Sequence, residues 1–570
     1  MDMNIVLAGE AGQGLKTFSK LLGKGFYKAG FDVFSSKDYM SRVRGGHNFM
    51  QIRFGQGDFA APIKPIDILL ALNEEGLVTH HERVKDEGLI IYDGEADIEL
   101  EEKKIINLPA ADISAEVNPR AENTVYLGAV LKVLELSAEP WEKLLQDYFA
   151  DKSVADDNVV LLQKGREAVD YTMDIENLEK LQQDVGAGKE QIYINGNEAL
   201  GMGAAVSGVK FYSGYPMTPS TGIMNYLASN QERLGLAVEQ AEDEIGAINM
   251  AIGASFAGIR AMTGTSGGGF ALMNEGLGLT AVTEIPLVIA EVQRPGPATG
   301  LPTRTSQADL QFVINSAQGE FPLKVIAPRN RSEAFTQTIR AFNLAEKYQI
   351  PVIVLSDQFL ADSARNISEP DLSNVSKNRH LVDSGDWPAD RDYCRYEFTD
   401  DGVSPRAYPG QLADEVVLVD SHEHDECGFV TEDQQLMQKI IAKRDKKRKR
   451  LKEEDLQAPE YKGAENPDYL LVCWGSSHGP VWEVVKKLNK ENLNIGLLSY
   501  TDVWPLSTEL LQDLNNTVSK IISVENNSTA QFARLITSEC GILFEETILK
   551  ADGRPFYPGE IEEQIVEMIE

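Results

Sequence analysis

Cysteine is scarce in this 570-residue chain, and its four cysteines are widely spaced. They are Cys394, Cys427, Cys473 and Cys540, so the CxxC pairs that bind iron–sulfur clusters are missing. Any such cluster must therefore be held by another polypeptide. We also expect no disulfide framework in a chain of this size and cysteine content.

Long apolar runs and an excess of positive charge are lacking too. No run approaches the ~20 apolar residues needed to cross a bilayer, and the N-terminal segment lacks the basic region of a signal peptide. We therefore expect a cytoplasmic protein without a membrane partner. The net charge of −34 argues against a nucleic-acid partner, because phosphate binding requires clustered Lys and Arg side chains.

Length and composition predict several globular domains. Hydrophobic residues make up 42% of the chain and charged residues 25%, as in ordinary globular proteins, and 570 residues exceed the size of one domain. We predict an α/β domain at 1–185, a second at 190–365 and a third at 467–570. A glycine-rich hinge at 185–188 separates the first two, and 366–466 is expected to be irregular with one charged helix.

Short apolar runs alternating with helical patterns predict open α/β sheets in all three domains. The expected strands are 4–8, 31–34, 49–54, 66–72 and 88–92, then 210–213, 259–262, 286–290, 323–326 and 351–355, then 469–474, 495–498 and 520–524. The second domain is expected to contain a mostly parallel, doubly wound sheet, whose ligands bind at the carboxyl ends of the strands.

Two glycine-containing segments near the N-terminus invite a phosphate-binding interpretation. Segment 9–17 (GEAGQGLKT) is not a P-loop, because Leu15 stands where that motif requires Lys, and its glycines do not follow GxGxxG. We favour a tight strand-to-helix turn, although its N–H groups could hold an anion. For segment 42–47 (RVRGGH) we favour an interface role over a catalytic one.

Three polar loops of the second domain are expected to meet at one sheet edge. In segment 214–220 (GYPMTPS) two prolines fix the backbone around Thr218, and Ser220 or Thr221 is placed to cap the next helix. Segments 263–269 (TGTSGGG) and 293–305 (QRPGPATGLPTRT) also follow strands. Arg294 and Arg304 of the last loop are suited to bind a carboxylate through paired hydrogen bonds.

An acidic segment precedes the helix that begins near residue 244. Asp243 is placed to cap this helix and Glu244 lies in its first turn, where the helix dipole favours carboxylates. Four acidic residues within 239–244 are more than capping requires. We therefore regard Glu244 as a candidate catalytic residue.

Two further segments have a simpler structural interpretation. The basic run 443–450 (KRDKKRKR) is followed by acidic residues, and we interpret it as the solvated face of a helix. Segment 421–427 (SHEHDEC) contains residue types that bind metals, but their spacing is too tight for a tetrahedral site. We treat it as structural.

In order and spacing, segments 214–220 and 242–244 and the Arg294 loop resemble the α subunit of the 2-oxoacid:ferredoxin oxidoreductases, which are thiamine-diphosphate enzymes. The turn at 9–14 and Arg44-Gly45-Gly46 resemble the γ unit of that family, fused here ahead of α. The C-terminal region, with Glu525-Asn526-Asn527, resembles its transketolase C-terminal-like domain. The resemblance covers nearly the whole chain and implies a γ-type, a pyrimidine-binding and a transketolase C-terminal-like domain.

The resemblance implies catalytic roles for three residues. Glu244 corresponds to the glutamate that binds N1′ of the aminopyrimidine of thiamine diphosphate and promotes its imino form, whereas Glu242 fits the spacing less well. Thr218 and Arg294 correspond to residues that bind the carboxylate and keto oxygen of the substrate. Met217 stands where the family usually has Ile.

Further residues are expected to contact the cofactor or the substrate. Tyr215, Pro216, Thr265 and Ser266 are assigned to the cofactor site together with Glu244. Arg304 is assigned to a distal carboxylate of the substrate, an assignment that rests on its placement in the loop.

A second subunit is also implied. The sequence contains no Gly-Asp-Gly, the motif that holds Mg²⁺ and the diphosphate in thiamine enzymes, and no cysteines spaced for a cluster. We expect a β subunit to provide the Mg²⁺ site and a [4Fe–4S] cluster, and we expect no metal site on this chain. An (αβ)₂ assembly is expected, with coenzyme A as co-substrate and ferredoxin as electron acceptor.

The predicted activity is the reversible oxidative decarboxylation of a 2-oxoacid to acyl-CoA and CO₂. We favour 2-oxoglutarate over pyruvate or branched-chain oxoacids, because the fused γ–α layout and the 300–304 loop resemble the 2-oxoglutarate enzymes. A non-redox thiamine enzyme subunit is the alternative from the same chemistry. A non-catalytic nucleotide-binding scaffold is the alternative from another class.

Overall fold

The computed structural model describes residues 2–42, 45–94, 103–173, 191–373, 375–385, 387–388 and 391–569. The predicted hinge at 185–188 and Arg44 lie outside these ranges. The chain forms two compact units. The first comprises Met1–Ile194, Asp362–Glu369 and Phe556–Glu570, and the second comprises Asn195–Ala361 and Pro370–Pro555.

The strands are, in chain order, β1 (Asp2–Ala11), β2 (Asp32–Asp38), β3 (Gly45–Gly55), β4 (Ile66–Ala71), β5 (Val84–Tyr92), β6 (Lys104–Asn107), β7 (Gln191–Asn195), β8 (Phe211–Gly214), β9 (Ala237–Gln240), β10 (Ala261–Thr265), β11 (Leu287–Gln293), β12 (Lys324–Ile326), β13 (Pro351–Asp357), β14 (Ala364–Ser368), β15 (Glu460–Gly463), β16 (Tyr469–Trp474), β17 (Ile495–Tyr500), β18 (Asp502–Trp504), β19 (Lys520–Glu525) and β20 (Glu546–Leu549).

The helices are α1 (Leu15–Lys28), α2 (Glu74–His80), α3 (Ala110–Ala115), α4 (Glu122–Val133), α5 (Glu139–Tyr148), α6 (Lys152–Glu167), α7 (Gly196–Val206), α8 (Thr221–Leu234), α9 (Glu244–Phe256), α10 (Gly267–Leu272), α11 (Asn274–Val282), α12 (Leu310–Ile314), α13 (Arg331–Tyr348), α14 (Gln358–Asp362), α15 (Gln434–Asp455), α16 (His478–Lys490), α17 (Glu509–Asn515), α18 (Gln531–Cys540) and α19 (Pro558–Ile569). Among the described helices, none has the length and apolar character needed to cross a bilayer.

The first unit contains an open mixed sheet in the order β6-β5-β4-β1-β3-β2-β14-β7. β1 pairs with β4 in parallel and with β3 in antiparallel orientation. Side chains of α1 and α4, including Phe18, Phe26 and Val125, enter its buried core. Between β1 and α1 the chain turns with Gly12 and Gly14 at positive φ, so the predicted strand-turn-helix is confirmed.

The second unit contains two further open sheets, ordered β18-β12-β13-β11-β10-β8-β9 and β15-β17-β16-β19-β20. In the former, all neighbouring strands from β12 to β9 are parallel, and β18 joins β12 antiparallel at the edge. One core connects both sheets, with Ile289, Leu355, Val472 and Tyr500 among its members. The predicted fold class of open α/β sheets, and the mostly parallel sheet within it, are confirmed.

The central strand β11 places two polar side chains in this core. Its seven residues, LVIAEVQ, are all buried, as is typical of a parallel strand covered on both faces. Glu291 and Gln293 are the polar exceptions, and both lie at the carboxyl end of the strand. Their side chains therefore need partners at that edge of the sheet.

The irregular segment before α15 contains a disulfide that the sequence did not lead us to expect. Cys394 is bonded to Cys427, so the prediction of no disulfide was wrong for this pair. The segment folds back on itself: the backbone N–H of Tyr396 donates to the carbonyl of Glu426 (2.8 Å), and the rings of Tyr396 and His424 are 3.7 Å apart. Contacts across 33 residues bring the two cysteines together, and their spacing alone could not reveal this.

The basic run on α15 is only partly solvated. Lys443 and Lys447 are buried, and their ammonium groups lie 2.8 and 2.7 Å from the two carboxylate oxygens of Glu284. Burial opposes ionisation of Glu284, but Lys443, Lys447 and Arg395 together lower its pKa below the usual range. The solvated-face interpretation is correct for Lys449 and wrong for Lys443 and Lys447.

Replacing Glu284 with Ala should destabilise the second unit. The substitution leaves two buried ammonium groups without their counter-charge, so we expect the free energy of unfolding to fall by about 3–5 kcal/mol. Because the folded-state pKa of Glu284 lies below the unfolded value, its contribution is present above about pH 4.3 and is lost as the pH falls. Urea titration at neutral and acidic pH measures both effects.

The control for this prediction is Glu453→Ala on α15, the helix that carries Lys443 and Lys447. Glu453 forms an exposed pair with Lys449 at 3.8 Å, and its loss should change the free energy of unfolding by less than about 0.5 kcal/mol. Equal losses for the two variants would contradict a structural role for the buried triad.

Candidate active site

The parallel register of the second unit brings several polar loops to one edge. Thr265 at the end of β10 is paired with Glu291 of β11, and Gln293 of β11 is paired with Asp357 of β13. The loops after β8, β10 and β11 therefore leave the sheet side by side. These are the three loops that the sequence predicted to meet.

The loop after β8 carries Thr218 next to an arginine. The carbonyl oxygen of Thr218 accepts a hydrogen bond from Nη1 of Arg294 at 2.6 Å. Tyr215 and Pro216 are exposed. Ser220 stands at the N-cap of α8 but donates to the carbonyl of Met217 (2.8 Å) and makes no side-chain bond to the helix, so the predicted cap is wrong.

Glu244 is the first residue of α9 and is 3% exposed. The helix is capped as predicted, since Asp243 accepts from the N–H of Gly246 at 2.7 Å. No described residue donates to Oε1 of Glu244. Because a buried carboxylate oxygen without a donor is costly, this atom is suited to accept a hydrogen bond from a bound ligand.

Gly269 makes room for this carboxylate and for the hydroxyl of Thr265. A Cβ atom at this position would overlap both Oε1 of Glu244 and Oγ1 of Thr265. Thr265 and Ser266 are fully buried, and Oγ1 of Thr265 lies 3.7 Å from the sulfur of Met217. Oγ of Ser266 has no hydrogen-bond partner among the described residues. The hydroxyl of Thr265 and Oε1 of Glu244 therefore pack together on Gly269.

Arg294 is 8% exposed and surrounded by carboxyl groups. Burial lowers the pKa of its guanidinium, while Asp309, Glu291 and Glu244 oppose this change. Nε of Arg294 has no hydrogen-bond partner within the described part of the chain. The structure thus brings the three predicted residues together. The guanidinium of Arg294 contacts Thr218 and lies near Glu244, whose Oε1 has no described donor.

Arg304 is also buried and lies further along the same loop. Its backbone N–H donates to the carbonyl of Leu301 (3.1 Å), and the N–H of Thr305 donates to the carbonyl of Gly553 (3.2 Å). The Arg304 end of the loop is therefore held against the segment that follows β20.

Sequence reasoning missed the groups that anchor this loop. Gln307 accepts from Oγ of Ser477 (2.7 Å) and from the N–H of Asn526 (3.0 Å), and it donates to the carbonyl of Trp474 (2.9 Å). Glu291 was missed as well. A single acid within the apolar run of β11 was the available signal, because such a residue needs a buried partner.

Three family models match the chain in sequence. Residues 4–168 match "Pyruvate ferredoxin/flavodoxin oxidoreductase", and residues 467–561 match "Pyruvate:ferredoxin oxidoreductase core domain II". Residues 202–467 match "Pyruvate flavodoxin/ferredoxin oxidoreductase, thiamine diP-bdg". This last region contains Thr218, Glu244, Arg294 and Arg304.

Relatives of known function cover the chain more fully. The α subunit of 2-oxoacid:ferredoxin oxidoreductase 2 from Aeropyrum pernix is 31% identical over 639 residues, covering 100% of this chain and 98% of the relative. The chain belongs to this family. The 2-oxoglutarate synthase subunit KorA of Methanothermobacter thermautotrophicus is 32% identical over 66% of this chain and 99% of its own length.

A solved structure agrees with this assignment. The 2-oxoglutarate:ferredoxin oxidoreductase from Magnetococcus marinus, with 2-oxoglutarate, coenzyme A and succinyl-CoA bound, has a TM-score of 0.90 and 30% identity over 100% of both chains. The predicted resemblance to the 2-oxoacid:ferredoxin oxidoreductases and the predicted enzyme class are confirmed. The buried group at Glu244 lies in the family's thiamine-diphosphate-binding region.

Adding one methyl group at Gly269 should impair this oxidoreductase. In Gly269→Ala the new Cβ displaces Glu244 or Thr265, and a displacement of about 1 Å should lower kcat/KM with a 2-oxoacid by about 100-fold. The control is Gly268→Ala, whose Cβ would meet its nearest neighbour, the carbonyl oxygen of Ala298, at 3.6 Å. A similar loss in both variants would show that the helix, and not the carboxylate site, is sensitive.

Proposed function

We propose that this chain is the α subunit of a 2-oxoglutarate:ferredoxin oxidoreductase, with a β subunit completing the active site. The reaction is the reversible conversion of 2-oxoglutarate and coenzyme A to succinyl-CoA and CO₂, with ferredoxin reduced. The observation that carries the proposal is the buried, open oxygen of Glu244 beside Thr218 and Arg294.

The residues present fit the aminopyrimidine side of thiamine diphosphate. Oε1 of Glu244 lacks a donor among the described residues, and the absence of a side chain at Gly269 lets this carboxylate take its place beside Thr265. Glu244 would hold the ring nitrogen of the pyrimidine, with Thr265, Ser266, Tyr215 and Pro216 lining the same site. When bound, thiamine diphosphate supplies the carbon nucleophile and the electron sink for decarboxylation.

Residues of this chain would bind the cofactor's ring nitrogen and the charged groups of the substrate. The Glu244 carboxylate would accept a hydrogen bond from the ring nitrogen of the bound cofactor, and its burial would make such a charge-assisted bond stronger than in water. Arg294 offers its guanidinium to the substrate's carboxylate and keto oxygen, and its bond to the carbonyl of Thr218 fixes its direction. Thr218 adds a hydroxyl on the same side of the site.

2-Oxoglutarate is favoured as substrate because a second cation stands in the same loop. Arg304 is buried ten residues after Arg294, and a dicarboxylate substrate would offer one carboxylate to each. In support, the Magnetococcus marinus enzyme was solved with 2-oxoglutarate and succinyl-CoA bound, and the KorA relatives are named 2-oxoglutarate synthase subunits.

A β subunit is expected to cover the face that carries Glu244. Ile245 and Met250 of α9 are 50% and 43% exposed, and Tyr215 in the neighbouring loop is exposed too. Exposed apolar side chains next to a catalytic carboxylate are typical of an interface. The β subunit would bring Mg²⁺, the diphosphate site and a [4Fe–4S] cluster. We propose an (αβ)₂ assembly that reduces ferredoxin.

Replacing Glu244 with Gln should abolish most activity of the reconstituted enzyme. The amide keeps the size of the side chain but removes the negative charge, so we expect kcat to fall by about 10²–10⁴-fold. The assay is coenzyme A-dependent viologen reduction with 2-oxoglutarate, after anaerobic co-purification with the β subunit. Glu242→Gln is the control, because Glu242 is exposed on the same segment and should stay near wild-type activity. An active Glu244→Gln enzyme would refute the assignment.

Arg304→Met tests the substrate. The variant removes a cation from the proposed distal-carboxylate site, and the loss of about 2 kcal/mol should raise KM for 2-oxoglutarate about 30-fold. KM for pyruvate should change little, because pyruvate has no second carboxylate. Equal changes for both substrates would reject Arg304 as the residue that selects 2-oxoglutarate.

A further inference from the structure

Glu291 is an acid in a position that water does not reach. It lies near the end of β11 with 0% exposure, between Thr265 of β10 and Leu355 of β13 in the sheet register. Neither of its carboxyl oxygens receives a hydrogen bond from a described donor. An ionised carboxylate in this setting would be strongly unfavourable.

The group that faces Glu291 is another acid, Asp309, at the far end of the Arg294 loop. The backbone N–H of Asp309 donates to Oε1 of Gln293 at 3.1 Å, which closes the loop at its base. Oδ2 of Asp309 packs on Gly267, where a Cβ atom would lie only 2.6 Å away, and it too lacks a described donor. Two ionised carboxylates are acceptors only, so a bond between them requires a proton.

The surrounding charges decide where this proton resides. Arg294 is the cation that faces both acids, and Asp357 at the end of β13 adds a third acid near Glu291. Burial raises the pKa of Glu291 well above its usual range, and Asp309 raises it further. Burial also raises the pKa of Asp309 and of Asp357, the latter facing Arg331. Glu291 is fully buried and Asp309 is partly exposed, so the proton belongs on Glu291.

We propose that Glu291 and Asp309 share one proton and act as a positioning pair that holds the 294–309 loop against β11. This inference rests on the proposed function, since Arg294 is the substrate ligand that the loop carries. With the proton in place, the Glu291 hydroxyl donates to Asp309 and one negative charge faces Arg294. Without it, two like charges meet at the base of the loop and push Asp309 away from the sheet.

The pair makes substrate binding depend on pH. As the pH rises through the upper titration of the pair, the proton leaves and the loop loses its anchor. The sign follows from the raised folded-state pKa, which makes the contribution of the pair present at low pH and lost at high pH. The expected result is that kcat/KM for the 2-oxoacid falls at alkaline pH, and that this fall is caused by the ionisation of Glu291.

The test uses the αβ enzyme and the variant Glu291→Gln. The glutamine amide can donate to Asp309 but has no proton to lose, so the alkaline limb of kcat/KM should move upward by at least about one pH unit. Infrared difference spectra between wild type and variant should show a protonated-carboxyl band in the wild type only. An unchanged pH profile, or no difference in that band, would overturn the proposal.

Two further variants protect the test against a folding defect. Asp309→Asn removes the carboxylate that accepts the Glu291 proton but leaves Glu291 buried, so the same infrared band should shift in frequency and remain present. Asp309→Ala removes the anchor, so KM for the 2-oxoacid should rise about tenfold with a smaller change in kcat. An unchanged KM in Asp309→Ala would overturn the positioning role. Glu320→Gln removes an exposed acid from the same unit and should change neither readout.

The infrared measurement needs no turnover, which separates this proposal from the proposed function. A Glu291-dependent band in an enzyme that is inactive on every 2-oxoacid would refute the function and leave the protonated pair in place. Activity on 2-oxoglutarate without such a band would refute the pair alone.

Discussion

The parallel register of β8, β10, β11 and β13 is the constraint on which the site depends. Neighbouring parallel strands end at the same edge of a sheet, so the loops that follow them must meet. The strand register fixes where the loops leave the sheet, because Thr265 pairs with Glu291 and Gln293 pairs with Asp357. Thr265, Glu291 and Arg294 are buried at this edge, whereas Tyr215 and Pro216 are exposed.

The buried charges of the site differ from other buried charges in the same unit in whether the chain supplies their partners. Glu284 receives two ammonium groups and is satisfied by the chain itself. Glu244 and Arg294 each keep an atom without a partner in the described part of the chain. An unsatisfied buried polar atom costs about 1–3 kcal/mol, a cost that a bound ligand can remove. The first arrangement is typical of a structural ion cluster and the second of a binding site.

The sheets could be predicted from the sequence because each buried strand appears in it as a short hydrophobic run. It also located Thr218, Glu244 and Arg294, since proline, glycine and acid placed after such runs mark loops and helix starts. The anchors of the loop were harder to find. Gln307 reaches Ser477 and Asn526, residues about 170 and 220 positions away, and no local pattern encodes such contacts. The same holds for the disulfide between Cys394 and Cys427.

Two buried glutamates at this edge show how environment assigns a role. Oε1 of Glu244 packs on Gly269 and has no donor among the described residues, so its hydrogen bond is left for a ligand. Glu291 faces Asp309, so its hydrogen bond requires a proton of its own. The separation of open from paired acids is therefore what allows one small region to bind a cofactor and hold its own loop.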